Sequence, residues 1–146
     1  MKREEALAFL MENIKNKNLV KHSLAVEAIM AGLALRFGED KERWALCGLL
    51  HDIDYEKTLD QPARHSLLGA DMLAGLGVDQ DICEAVRTHN QHHGIEPRTL
   101  MAKSLFVSDP LSGLIVAASL ICPSKKIADI NTQFVICLLY TSDAAD

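Results

Sequence analysis

The sequence predicts an all-α helical bundle. Apolar residues recur at three- and four-residue spacing almost throughout, and no stretch alternates with period two for long enough to make a strand. Capping residues fall at the ends of these runs. The spacing predicts about seven helices, over 3–16, 18–37, 40–53, 62–76, 79–91, 97–109 and 111–121, with a shorter one near 124–130. Asp40 and Asp79 stand at the starts of the third and fifth, where a short side-chain oxygen takes up an unpaired backbone N–H. Pro62 and Pro97 suit the first turns of the fourth and sixth, where a missing N–H is no loss. Gly38, Gly77 and Gly94 each follow a helical run, the position that favours a left-handed backbone. No internal repeat, low-complexity segment or linker divides the chain, and 146 residues, 49% of them apolar, fit one domain with a single core.

The formal charge of -5 is spread over both signs without a block of like charges. There is thus no electrostatic footprint for a nucleic-acid backbone or an anionic membrane, and the expected substrate is a small molecule. No apolar run reads as long enough to span a bilayer, and the acids in MKREEALAFLMENIK interrupt any signal core, so a cytoplasmic location is expected. Cys47, Cys83, Cys122 and Cys137 are widely separated with no C-x-x-C pair, and are read as reduced core thiols.

Several polar residues fall on the apolar stripes. The second helix directs Leu19, Val26, Ile29, Met30 and Leu33 to one face, and His22 lies on it, away from Lys21 and Glu27. In the third, Trp44, Cys47 and Gly48 lead by helical spacing to His51 and Asp52. His65 aligns with Leu68, Gly69 and Met72; His89 with Ile82, Ala85 and Val86; Asp109 with Ala102, Leu105 and Phe106. Five helices therefore aim ligand-type side chains inward. Burying two carboxylates is unfavourable unless cations or strong donors meet them, and few basic residues fall on these stripes. One or two divalent transition-metal ions are the economical explanation. Imidazole with carboxylate suits iron, manganese, zinc or cobalt and is too rich in nitrogen for a typical magnesium or calcium cage.

The order His22, then His51-Asp52, then Asp109 resembles the H…HD…D signature of the HD superfamily of metal-dependent phosphohydrolases. The segments RHSLLGAD with His65, VRTHNQHHG with His89 and SDPLSGLIVAA with Asp109 extend the resemblance over residues 1–136. What the resemblance implies is a first metal held by His22, His51, Asp52 and Asp109, with Asp52 bridging to a second held by His65 and His89. His93 or His92 is the further candidate for that second ion. The implied reaction is attack by a metal-bound hydroxide on a phosphomonoester or phosphodiester of a nucleotide-like molecule, the ions lying about 4 Å apart. Asp52 then belongs to the catalytic group, with Asp54 and Lys57 at or just beyond the mouth of the site for orienting or proton-transfer work. Lys125 and Lys126 are candidates for binding substrate phosphate. Asp54 departs from the glycine that many relatives carry there. Rival readings are a mixed-valence di-iron oxygenase of the HD type, which uses the same ligands, and a non-catalytic nucleotide- or partner-binding HD module.

The last ten residues, CLLYTSDAAD, resemble the in-frame reading of a transposase sequencing adapter. Residues 137–146 are on that reading not native, and the C-terminal helix that relatives pack against the bundle is expected to be missing. Its loss should leave apolar surface exposed from Ile121 to Ile136.

Overall fold

The computed structural model describes residues 1–142. These form seven α-helices and no strand: α1 (Arg3–Asn13), α2 (Lys17–Phe37), α3 (Lys41–Leu50), α4 (Leu67–Gly75), α5 (Gln80–Thr88), α6 (Leu100–Ile121) and α7 (Thr132–Ser142). Short 3-10 turns at Tyr55–Lys57, Pro62–Arg64, Gln91–His93 and Ile127–Asp129 join them. The chain divides into two compact units, Met1–Asp109 and Pro110–Asp146.

The first unit owes its core to the predicted stripes. Val26, Met30 and Ala34 of α2, Cys47, Leu49 and Leu50 of α3, and Ala85 and Val86 of α5 are fully buried. The most extensive helix pairing is α2 against α3, and Gly48 permits it. A Cβ at Gly48 would lie 2.6 Å from the Val26 carbonyl oxygen and 2.9 Å from the Glu27 Cα, closer than atoms pack. Asp40 accepts from the Arg43 N–H at 3.0 Å and Asp79 from the Asp81 N–H at 2.9 Å, so both stand as N-caps where the sequence puts them. Arg43 joins α3 to the start of α5, reaching Asp79 at 2.6 Å and Asp81 at 2.5 Å.

Several elements depart from the sequence reading. Glu27, expected on the solvent side of α2, is 8% exposed because Arg3 of α1 meets its carboxylate at 2.6 and 3.0 Å. That ion pair spans 24 residues, beyond what a helical periodicity registers. The helix expected over 62–76 breaks into a 3-10 turn and α4, separated by His65 and Ser66. Thr99 rather than Pro97 sits at the start of α6, its hydroxyl accepting from the Ala102 N–H at 3.1 Å. The expected break at Pro110 does not occur, and α6 continues to Ile121. A proline removes one hydrogen bond from a helix without ending it when the flanking turns persist. By length and composition α2 and α6 are also apolar enough to cross a membrane, although the sequence reading found no such run. In α2 the apolar residues are spent on the core of the first unit, as in a core helix of a folded domain.

In the second unit, Leu111, Leu114, Ile115, Ile127, Val135 and Leu139 are among the residues lining an apolar groove of about 390 Å³. Ile121, Ile127 and Ile136 are exposed, as expected of apolar surface there. Helix α7 covers residues the sequence reading left without a helix and runs into the adapter-like segment; residues 143–146 of that segment lie outside the described residues. Cys47 and Cys83 are buried thiols, but Cys122 is half-buried and Cys137 exposed, so only two of the four belong to the core.

Candidate metal centre

Six residues of the first unit converge: His22 from α2, His51 and Asp52 from the end of α3, His65 from the turn before α4, His89 from the end of α5 and Asp109 from α6. His51, Asp52 and His89 are buried, the other three partly so. The geometry sorts them into two sets that share one carboxylate. Asp52 Oδ2 lies 3.5 Å from His22 Nε2 and 3.4 Å from His51 Nε2, while Asp109 Oδ1 lies 3.0 Å from His22 Nε2 and 3.7 Å from His51 Nε2. The other oxygen, Asp52 Oδ1, lies 3.3 Å from both His65 Nε2 and His89 Nε2. One ligand atom from each of His22, His51 and Asp109 falls within 4.8 Å of the others, and the same holds for His51, Asp52 and His89.

The far side of three rings is committed. His51 Nδ1–H donates to the Gly48 carbonyl at 2.8 Å, His89 Nδ1–H to the Val86 carbonyl at 2.6 Å, and His65 Nδ1–H to Asp54 Oδ1 at 3.0 Å. A neutral imidazole with its proton on Nδ1 has its lone pair on Nε2, and these lone pairs face carboxylate oxygens. His89 Nε2 is buried and makes no hydrogen bond, with Asp52 Oδ1 facing it at 3.3 Å, an arrangement that calls for a proton or a cation between the two. His22 Nε2 and His51 Nε2 face each other at 3.1 Å, and both also face oxygens of Asp52 and Asp109. Donor chemistry, ring orientation and the orphaned nitrogen all fit divalent transition-metal ions.

Charge points the same way. Burial opposes a proton on His51, but Asp52 and Asp109 hold its pKa up to about 10; burial likewise opposes one on His65, which Asp52 and Asp54 hold up to about 9. Burial favours the neutral form of Asp52, yet His51, His65 and His89 hold its carboxyl well below the usual range. Asp109 is lowered against its own burial by His22 and His51. The pocket thus demands positive charge at Nε2 of His51 and His65, which protons supply in the metal-free chain and cations can take over.

Asp54 does not stand at the mouth. It is fully buried, accepting from His65 Nδ1–H at one oxygen and, at the other, from the Ser66 and Gly69 N–H groups at 2.8 Å each. Gly69 allows this approach, since a Cβ there would sit 3.1 Å from the Asp54 carboxylate. Ser66 adopts φ 72°, ψ −38°, a backbone that costs a non-glycine residue roughly 1–3 kcal/mol and persists only where surroundings impose it. His93 also differs from its expected role as a ligand, for its Nε2–H donates to the His65 backbone carbonyl at 2.6 Å. His92 is exposed. Lys57 is exposed on the turn at Tyr55–Lys57, without a hydrogen bond or ion pair to the cluster among the described residues. Lys125 and Lys126 are exposed in the second unit, Lys125 at φ 54°. Helical spacing overlooks the support given by Asp54, Ser66 and His93, because it runs through a turn; a carboxylate two residues after His51-Asp52 is the one local signal for it.

The HD domain family model matches residues 19–114, which include all six converging residues. Ribonuclease Y from Oleidesulfovibrio alaskensis is 32% identical over 98 residues, and ribonuclease Y from Nitratidesulfovibrio vulgaris 33% identical over 98 residues. Each match covers 67% of this chain but 18% of the relative, so the chain spans under a fifth of those proteins. The crystal structure of a predicted HD superfamily hydrolase from an uncultured Thermotogales bacterium is similar at TM-score 0.70 and 22% identity, covering 98% of this chain and 92% of that one. A predicted HD superfamily hydrolase involved in NAD metabolism from Clostridium acetobutylicum is similar at TM-score 0.60 and 24% identity, over 77% and 69% of the two chains. With the family match extending over most of the chain and the H…HD…D residues gathered at one place, the chain belongs to the HD domain family.

Proposed function

We propose that this protein is a metal-dependent phosphohydrolase that cleaves a phosphomonoester or phosphodiester of a nucleotide-like small molecule. The observation that carries the proposal is the division of Asp52 between two histidine sets, Oδ2 toward His22 and His51 and Oδ1 toward His65 and His89. His22, His51, Asp52 and Asp109 would hold one divalent ion, and Asp52, His65 and His89 a second. Bound there, such ions supply Lewis acidity toward phosphoryl oxygens and lower the pKa of water into the neutral range.

The chain's own residues do the rest. Asp52 and Asp109 neutralise the ions so that the site can accept a phosphate without excess positive charge. The carbonyls of Gly48 and Val86 and the carboxylate of Asp54 fix ring orientation, so that no lone pair turns away when substrate arrives. His22 and Asp109 are the partly open ligands, side-chain exposures 25% and 32%, and the substrate phosphate is assigned to their side of the cluster. Lys57 is the nearest cation in sequence to the HD pair and a candidate for proton transfer to the leaving oxygen. Ribonuclease Y, by its name, also acts on phosphodiesters, though this chain's charge of -5 favours a small substrate over a polynucleotide.

The test is hydrolysis of nucleoside monophosphates, dinucleotides and bis(p-nitrophenyl) phosphate by the chain loaded with manganese, iron, zinc or cobalt, beside His51→Ala. Metal-dependent phosphate release that the variant loses supports the proposal. Turnover that needs dioxygen would replace it with oxygenase chemistry, and a metal-loaded chain inert toward the whole panel would leave a binding module.

A further inference from the structure

We infer that Asp54 is the positioning residue that sets the affinity of the second ion, acting through His65 alone. The inference rests on the two-ion reading above and goes beyond it in assigning unequal, separately controlled affinities to the two positions.

The five other converging residues lie within a helix or directly at its C-terminal end; His65 alone sits on a turn, between Pro62–Arg64 and α4. Four hydrogen bonds fix that turn. Asp54 Oδ1 takes the His65 Nδ1–H, Asp54 Oδ2 takes the N–H groups of Ser66 and Gly69, and His93 Nε2–H holds the His65 carbonyl. Ser66 at φ 72° lies next to His65, so the backbone that aims the ring is one Ser66 adopts only under constraint. One carboxylate therefore fixes both the direction of the His65 lone pair and the turn that presents it. At the first position His51 leans on the Gly48 carbonyl of its own helix.

Asparagine at position 54 separates these two duties. Its single carbonyl oxygen is required by Ser66 and Gly69, which places its NH2 group opposite His65 Nδ1. Nδ1 must then accept, the ring proton moves to Nε2, and the lone pair that faces Asp52 is gone. Asp54→Gln would not serve, because Gly69 leaves no room.

The experiment titrates Mn(II) into the metal-free chain of residues 1–146 and counts bound ions by electron paramagnetic resonance, which also distinguishes an exchange-coupled pair from isolated ions. Wild type is expected to bind two ions with a coupled signal. Asp54→Asn should bind the first ion as wild type does, bind the second about 10- to 100-fold more weakly, and show the isolated-ion signal at matched manganese. His65→Ala should behave alike, and the double variant should lose nothing further. If Asp54→Asn does not fold, Asp54→Asn/Ser66→Gly relieves the turn and must show the same selective loss. Equal weakening of both ions, or a second ion retained at wild-type affinity, overturns the inference and leaves the functional reading in place. A folded wild-type chain that binds no ion overturns both.

Discussion

The two halves of the metal centre are built differently. His22 and Asp109 project from within long helices, and His51 ends α3 with its ring tied to the carbonyl of Gly48. Their geometry is inherited from helix packing, and the closest constraint is steric, at Gly48 against Val26. His65 is instead held by side chains, Asp54 and His93, across a turn with a left-handed serine. The first half should tolerate loss of any one polar support, whereas the second should fail when one hydrogen bond changes sense.

The largest expected effect comes from His51→Ala, since His51 is a fully buried ligand of the first ion and also lies within ligand distance of Asp52 and His89. Hydrolysis should drop by more than about 10³-fold, loss of one charge-stabilising group alone being worth about 10²–10³. Steady-state rates and metal counts beside His65→Ala sharpen the contrast, because only the His51 variant should lose the first ion.

Acidity provides the next test. His51 and His65 hold protons in the folded metal-free chain up to about pH 10 and 9, and ions must displace them. Lowering the pH from 8 to 7 should weaken uptake of the pair by about 100-fold, tenfold for each proton released. Calorimetric titration in two buffers of different ionisation enthalpy counts those protons directly. Because both pKa values lie above the ordinary histidine value, their contribution to metal-free stability is complete below about pH 6.5 and disappears as pH rises through 9 and 10. The melting temperature of the metal-free chain should fall over that interval, and pH-independent uptake would contradict the electrostatic picture.

Packing effects are smaller. Gly48→Ala gains about 1 kcal/mol of helix propensity but drives a methyl into backbone, and a net loss of about 1–3 kcal/mol should appear in denaturant unfolding. Arg43→Ala removes a partly exposed ion pair with Asp79 and Asp81, remote from the cluster, and should cost about 0.2–1 kcal/mol with unchanged metal uptake.

The sequence made the helical half of this site legible and the turn half illegible, for a physical reason. Helical spacing places His22, His51, His89 and Asp109 on inward stripes because each continues a run of core residues. It aligns His65 with Leu68 and Met72 as though one helix carried all three, but the helix begins after Ser66. What fixes His65 is a carboxylate eleven residues earlier and an imidazole twenty-eight later, and neither separation has a period. The same limit hid the burial of Glu27, which depends on Arg3 from another helix. Capping chemistry at Asp40 and Asp79 is local and was readable; the persistence of α6 through Pro110 depends on the flanking turns and was not.

The most direct measurement is the metal content of the purified chain, without added metal and after loading, beside Asp52→Ala. Asp52 is the residue whose two oxygens face both histidine sets, so wild type should hold close to two transition-metal ions per chain and the variant far fewer. A folded wild-type chain that takes up no iron, manganese, zinc or cobalt, or an Asp52→Ala chain that retains both ions, would contradict a pair of ions that both depend on Asp52.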